Sequence, residues 1–152
     1  MLNRSIQRAL LTLCLPVLAA ACTSLAPSEI ALPQGAVQIA APAIYREWLA
    51  KTEQCSGRTG DFSTLEFYVV PGVETFPTND GSKVGEWVTA GRVNRIVIAG
   101  NYQGHEMVVR HELLHALLHA EGHPTEYFVN RCQLTWESWN FSLASVALEH
   151  TN

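Results

Sequence analysis

A chain of 152 residues, 47% hydrophobic and 16% charged, has room for one domain with a sizeable core and none for a second. Fourteen acidic residues against ten Lys and Arg leave a formal net charge of −4, which excludes nucleic acid as a partner because phosphate would be repelled. The N-terminus opens with a basic stretch holding Arg4 and Arg8, continues as an apolar run over residues 9–18, and ends in Ala19-Ala20-Ala21 before Cys22. The apolar run is too short to span a bilayer, which takes roughly 20 residues. The layout predicts a removable secretion signal over residues 1–21.

Leu18-Ala19-Ala20-Ala21-Cys22 resembles the lipobox of bacterial lipoproteins. The resemblance implies cleavage before Cys22 and acylation of that cysteine as the mature N-terminus, giving a membrane partner through a lipid anchor. Thr23, where an aspartate would retain the protein at the inner membrane, implies the outer membrane facing the periplasm. Ordinary signal cleavage, leaving Cys22 unmodified, is the alternative. Loss of residues 1–21 removes two arginines and no acid, leaving eight basic against fourteen acidic residues and a formal charge of −6. Cys14 would leave with the signal and Cys22 would carry lipid. Cys55 and Cys132 then remain as a pair in an oxidising compartment and are expected to form a disulfide, with two buried free thiols as the alternative.

Residues 23–41 mix Ser, Pro and Ala with little charge and no sustained period, and are expected to tether Cys22 to a domain over residues 42–152. Pro42 suits a first helical turn, and Ile44, Tyr45, Trp48 and Leu49 then recur on one face up to about Gln54. Residues 65–70 form a β-rich run closed by Pro71-Gly72, and residues 84–90 and 93–99 predict two more strands joined as a hairpin through Gly91-Arg92. Between the first two strands, Phe76-Pro77-Thr78-Asn79-Asp80-Gly81 carries turn chemistry and is expected to be an exposed loop. A helical pattern from about Gln103 to Glu121 and a last helix over residues 134–149 complete an α+β fold: helix, three-stranded sheet, helix, helix.

At 100° per residue, the segment 107–120 is apolar over most of its circumference, so its helix should be buried. The remaining arc carries His111, Glu112, His115 and His119. Burying such groups costs several kcal/mol unless something compensates, and a bound metal would. Histidines four apart are turned by about 40° and separated by roughly 6 Å along the axis, so two imidazoles can converge on one ion. Glu112 lies about 100° round from His111, beside the ion, where a carboxylate can hold a water. Five of the six histidines fall between His105 and His123.

His111-Glu112-Leu113-Leu114-His115 matches the HExxH pattern and resembles the zincin metallopeptidases, with specificity over residues 93–123. The resemblance implies a minimal zincin-like domain with Zn2+ held by His111 and His115. It also implies a zinc-activated water as nucleophile, and Glu112 as the general base that returns its proton to the leaving amine. Zincins hold extended substrates along a strand edge, a role for which residues 93–99 stand directly before the helix. An ordinary covered strand is the alternative there.

A catalytic zinc usually takes three protein ligands. His119 is about 12 Å from His111 along a continuous helix, too far to share an ion. His123 is the first choice, because Gly122 offers a left-handed cap and Pro124 forbids continuation, so the chain can turn back. This resembles the metzincin branch, in which a third histidine follows such a turn. Glu137, in the manner of the gluzincin branch, and Glu126 are the alternatives. Tyr127 is either an oxyanion donor or a packing residue.

The function this implies is a membrane-tethered zinc metallopeptidase acting on a peptide or protein substrate. The alternatives are a zinc-binding envelope lipoprotein without turnover, or a disulfide-stabilised structural lipoprotein with core histidines. Glu112 discriminates, since storage or structural sites need no carboxylate beside the ligands.

Overall fold

The computed structural model describes residues 31–90 and 93–149; residues 1–21, expected as a signal, and Cys22, expected to be acylated, lie outside the described residues. The fold is α+β. Strand β1 (Val37–Ile39) leads into helix α1 (Ile44–Ser56), then β2 (Leu65–Val70), the short strands β3 (Phe76–Thr78) and β4 (Gly81–Lys83), and β5 (Gly85–Ala90) with β6 (Val93–Ala99). Helix α2 (Glu106–Leu118), a π-helical turn (Glu126–Arg131) and helix α3 (Trp136–Glu149) follow. No helix among the described residues is long and apolar enough to cross a membrane.

The main sheet runs β1-β2-β6-β5, with β2 and β6 parallel and the two outer pairs antiparallel. Central β6 is covered on both faces, which is why residues 96–99 read as an unbroken apolar run. Its alternate side chains separate two cores. Ile96 and Ile98 face the main one, with Tyr45, Trp48 and Leu49 of α1, Met107, Val108, Val109, Leu113 and Leu114 of α2, and Phe128 and Leu134 beyond. Val97 and Ala99 face a smaller one with Val70 and Phe76. Leu113 and Leu114 are fully buried, each contributing about 2–3 kcal/mol to holding α2 against the sheet.

Helix α1 buries Tyr45, Trp48, Leu49 and Thr52, and ends where Gly57 takes φ 70° and donates its N–H to the Glu53 carbonyl at 2.8 Å. Cys55 near its end is disulfide-bonded to Cys132, 77 residues on, with a Cα–Cα distance of 5.1 Å.

Four expectations change. The sheet has four strands, not three, because Val37–Ile39 pairs with β2 in the register Val37↔Val69 to Ile39↔Phe67. The stretch expected as tether thus enters the sheet before Pro42; three residues held by backbone bonds leave no side-chain period to detect. The expected exposed loop at residues 76–81 is the start of a hairpin, with Phe76 paired to Lys83 and Gly81 turning at φ 110°. Phe76 is buried in the smaller core, which anchors it. Helix α2 is shorter than expected at both ends, and the π-helical turn had no sequence signal.

Candidate metal centre

Helix α2 stops at Leu118 because His119, not Gly122, adopts the left-handed conformation, at φ 50°. The His115 carbonyl accepts from the N–H groups of His119 and, at 3.4 Å, Ala120. The chain leaves the helix axis there and carries His123 back beside the preceding turns. The Nε2 atoms of His111 and His123 then lie 2.9 Å apart, and that of His115 lies 3.2 Å from each. They form the one candidate cluster for a metal ion found among the described residues.

The tautomers follow from the outer nitrogens. Nδ1 of His111 is 2.7 Å from the Leu134 carbonyl, and Nδ1 of His115 is 2.7 Å from the Ala120 carbonyl. A carbonyl only accepts, so each Nδ1 carries the proton and each Nε2 keeps a lone pair. Two inward lone pairs at 3.2 Å with no proton between them repel; a cation bound to both turns the repulsion into attraction. A tetrahedral ion with metal–nitrogen bonds of 2.0–2.1 Å needs nitrogens about 3.3 Å apart, close to the spacing found. The three histidines can hold a metal ion, and three imidazoles suit zinc, copper, iron or nickel.

The surroundings keep the imidazoles neutral, the form that binds metal. Burial pushes His111 and His115 down to about 4, against the opposing pull of their carbonyl bonds. Burial, then the Lys83 ammonium, lowers His123. Phe128, fully buried, packs its ring 4.8, 4.8 and 4.9 Å from those of His111, His115 and His123. Trp87 lies nearly parallel to His115, centroids 6.4 Å apart. These aromatics restrict ring rotation and water access on that side.

Glu112, one residue after His111, is buried against β5. A Cβ on Gly85 would stand 2.6 Å from its Oε1 and 2.9 Å from its Cγ, so only glycine leaves room for the side chain. Burial pushes the Glu112 carboxyl up to about 8, opposed by the Lys83 ammonium and the Trp87 N–H. A dication nearby would favour the carboxylate again.

Imidazoles and carboxyl open on one cleft of about 880 Å³. One wall is β4 and β5, including Lys83, Gly85, Glu86 and Trp87; the other includes Met107 and Val108 of α2 with Leu134 and Trp136. Residues 93–99, expected to offer the strand edge, are paired on both sides, and the outer strand lining the cleft is β5.

Of the third-ligand candidates, the fold brings only His123 to the pair. Glu126 lies 3.7 Å from Arg131 at the surface, and Glu137 is exposed in the first turn of α3. The Tyr127 hydroxyl accepts from Arg58 at 2.8 Å, with the guanidiniums of Arg58 and Arg131 each 5.5 Å from its ring. His119 meets Trp87 edge-on, outside the cluster. Sequence reasoning missed Gly85, Lys83, Phe128 and the carbonyls of Ala120 and Leu134. A glycine opening a β-rich segment was the one signal available, since a strand glycine often marks a close approach. No family model, curated protein or solved structure matches the chain.

Proposed function

We propose that the protein is a metal-dependent hydrolase. Within that class we assign it as a zinc peptidase, exported and anchored through acylated Cys22 to the outer membrane, its domain in the periplasm. The observation that carries the reading is the convergence of three imidazole Nε2 atoms beside a buried carboxyl that shares a helix turn with His111. The zincin resemblance of His111, Glu112 and His115 selects zinc among the imidazole-binding metals and peptides among the substrates.

When bound, zinc lowers the pKa of a water towards about 7 and polarises a carbonyl oxygen. The chain's own residues do the rest. His111, His115 and His123 would hold the ion, and all three line the cleft. Glu112, pressed against β5 at Gly85, takes the proton from water and passes it to the leaving amine. The outer strand β5 borders the cleft, and an extended peptide can pair with it by main-chain hydrogen bonds. Storage or purely structural binding gives no reason for burying a carboxyl at this position.

Metal analysis of the purified protein together with hydrolysis of an unstructured protein tests the reading. We expect one zinc per chain, and Glu112→Gln to keep it while activity falls by roughly 10²–10⁴-fold. Equal activity in variant and parent would remove Glu112 as the base. Stoichiometric zinc with no hydrolysis by the parent would leave a zinc-binding lipoprotein instead. Radiolabelled palmitate incorporated by the parent and not by Cys22→Ala tests the anchor.

A further inference from the structure

Helix α3 carries no charged residue between Glu137 and Glu149. Its first turn is fixed to the fold: Trp139 packs on the main core, and the Trp136 ring stands edge-on to His105 at 5.3 Å and to Tyr102 at 6.0 Å. Beyond that turn the large apolar side chains lie open to water, Phe141 at 74% exposure and Leu143 at 54%. Two residues apart on a helix are turned by about 200°, so the two point to opposite sides. A flat contact with another protein would cover one and leave the other wet. A helix that is apolar on opposite sides is matched by an apolar medium that surrounds it.

Such a medium is within reach of the chain. Leu32, where the N-terminal segment meets the fold, and Tyr102 both pack against the smaller core, so that segment enters on the side where α3 begins. Ten residue steps separate Leu32 from Cys22, at most about 36 Å of fully extended chain. A lipid on Cys22 therefore keeps α3 close to the bilayer surface. The 14 residues of α3 make a rod about 21 Å long, too short to cross a hydrocarbon core of roughly 30 Å but long enough to enter its interface. Trp136, 46% exposed, stands about 7.5 Å behind Phe141 along the axis. With Phe141 in the acyl boundary its ring falls at headgroup level, where tryptophan finds both apolar and polar partners. The acidic balance of the chain gives no attraction to anionic lipid, so the contact is an apolar one.

We propose that the exposed part of α3, centred on Phe141 and Leu143, is a lipid-docking surface that enters the interface of the bilayer to which Cys22 is anchored. Since Trp136 also lines the cleft, docking holds the cleft close to the membrane surface. The proposal rests on the anchored reading for the membrane and is independent of the peptidase reading.

The mature chain from Cys22, coupled through the Cys22 thiol to a maleimide lipid in phosphatidylcholine vesicles, tests it. The coupling supplies the tether whatever the cell attaches there, and Cys55 and Cys132 are closed as a disulfide. Tryptophan emission is compared between plain vesicles and vesicles of brominated phosphatidylcholine, which quenches rings that touch lipid. Trp48 and Trp87 are buried, so the signal reports α3. Parent emission should fall by roughly a third in the brominated vesicles, and high salt should not restore it. Phe141→Ser with Leu143→Ser should return emission to the plain-vesicle level at an unchanged thermal midpoint, while Phe141→Trp should deepen the quenching. Unquenched parent emission overturns the proposal, as does quenching that survives in the double variant or disappears in high salt. Shielding that grows with protein density, without quenching by lipid, assigns the surface to a second copy and overturns it as well. Palmitate incorporated at Cys22 with no quenching rejects the docking surface alone. Quenching with no palmitate incorporated upholds the surface and rejects the native anchor.

Discussion

Gly85 and Glu112 stand so close that a single methyl group cannot be placed between them: a Cβ on Gly85 would fall 2.6 Å from the carboxyl oxygen and 3.1 Å from its carbon. Gly85 is on the outer strand and Glu112 on the helix beneath it, so the contact sets how far the carboxyl can reach into the cleft. Gly85→Ala should push the carboxyl aside while leaving the three imidazoles in place. We expect hydrolysis to fall by about 10²-fold with zinc content kept. Parent-level activity would show that this contact does not position the base.

The ligand set is tested by a pair of variants. His123→Ala removes one of three nitrogens that lie within 3.2 Å of their neighbours and should cost at least tenfold in zinc affinity in a chelator competition. Glu137→Ala, on exposed α3 outside the cluster, should bind zinc as the parent does. The reverse pattern would transfer the third position to Glu137.

The disulfide between Cys55 and Cys132 closes a separation of 77 residues, for which chain entropy predicts about 4.5 kcal/mol of stabilisation. Cys132 is two residues before Leu134, whose carbonyl holds His111 in its metal-binding tautomer. Replacing both cysteines by alanine should lower stability in urea by a few kcal/mol and weaken zinc binding in parallel. Lower stability with unchanged zinc affinity would limit the disulfide to a global role.

Metal-free protein should be most stable near pH 6.5. His111 and His115 have folded values depressed to about 4, so their neutral form favours folding above the unfolded value of about 6.5, and that contribution is lost as pH falls from there to 4. Glu112 runs the other way. Its folded value is raised to about 8, so its contribution is complete below the unfolded value of about 4.3 and is lost as pH rises through 8. Two histidines outweigh one glutamate below pH 6.5, and Glu112 alone acts above it. Urea denaturation in chelator across pH 4–9 checks this; zinc should lift the alkaline side, because a dication favours ionised Glu112. A stability that climbs steadily to pH 9 without metal would contradict the buried, neutral carboxyl.

What could be read from the chain is what local geometry determines. The residues of β2 and β6 were predicted to the residue, since Pro71-Gly72 ends the first and β-branched side chains fill the second. The disulfide was legible from cysteine arithmetic. The helical face shared by His111 and His115 follows from 3.6 residues per turn, and Glu112 follows from its place one residue on. Elements whose stability is not written in side-chain period were missed: the three-residue β1, the hairpin anchored by buried Phe76, and a π-helical turn held by bonds such as Cys132 N–H to the Tyr127 carbonyl at 3.0 Å.

The sequence by itself determined the pair of histidines, the carboxyl beside them and the burial of their helix, because each is a property of neighbours a few residues apart. Only the tertiary structure decided the rest. His123 reaches the pair because His119 bends the backbone there; the imidazole tautomers depend on carbonyls at Ala120 and Leu134, which look alike in any sequence. Glu112 finds its place because a glycine 27 positions earlier brings β5 against it. These are contacts between distant segments, and packing, not pattern, selects them.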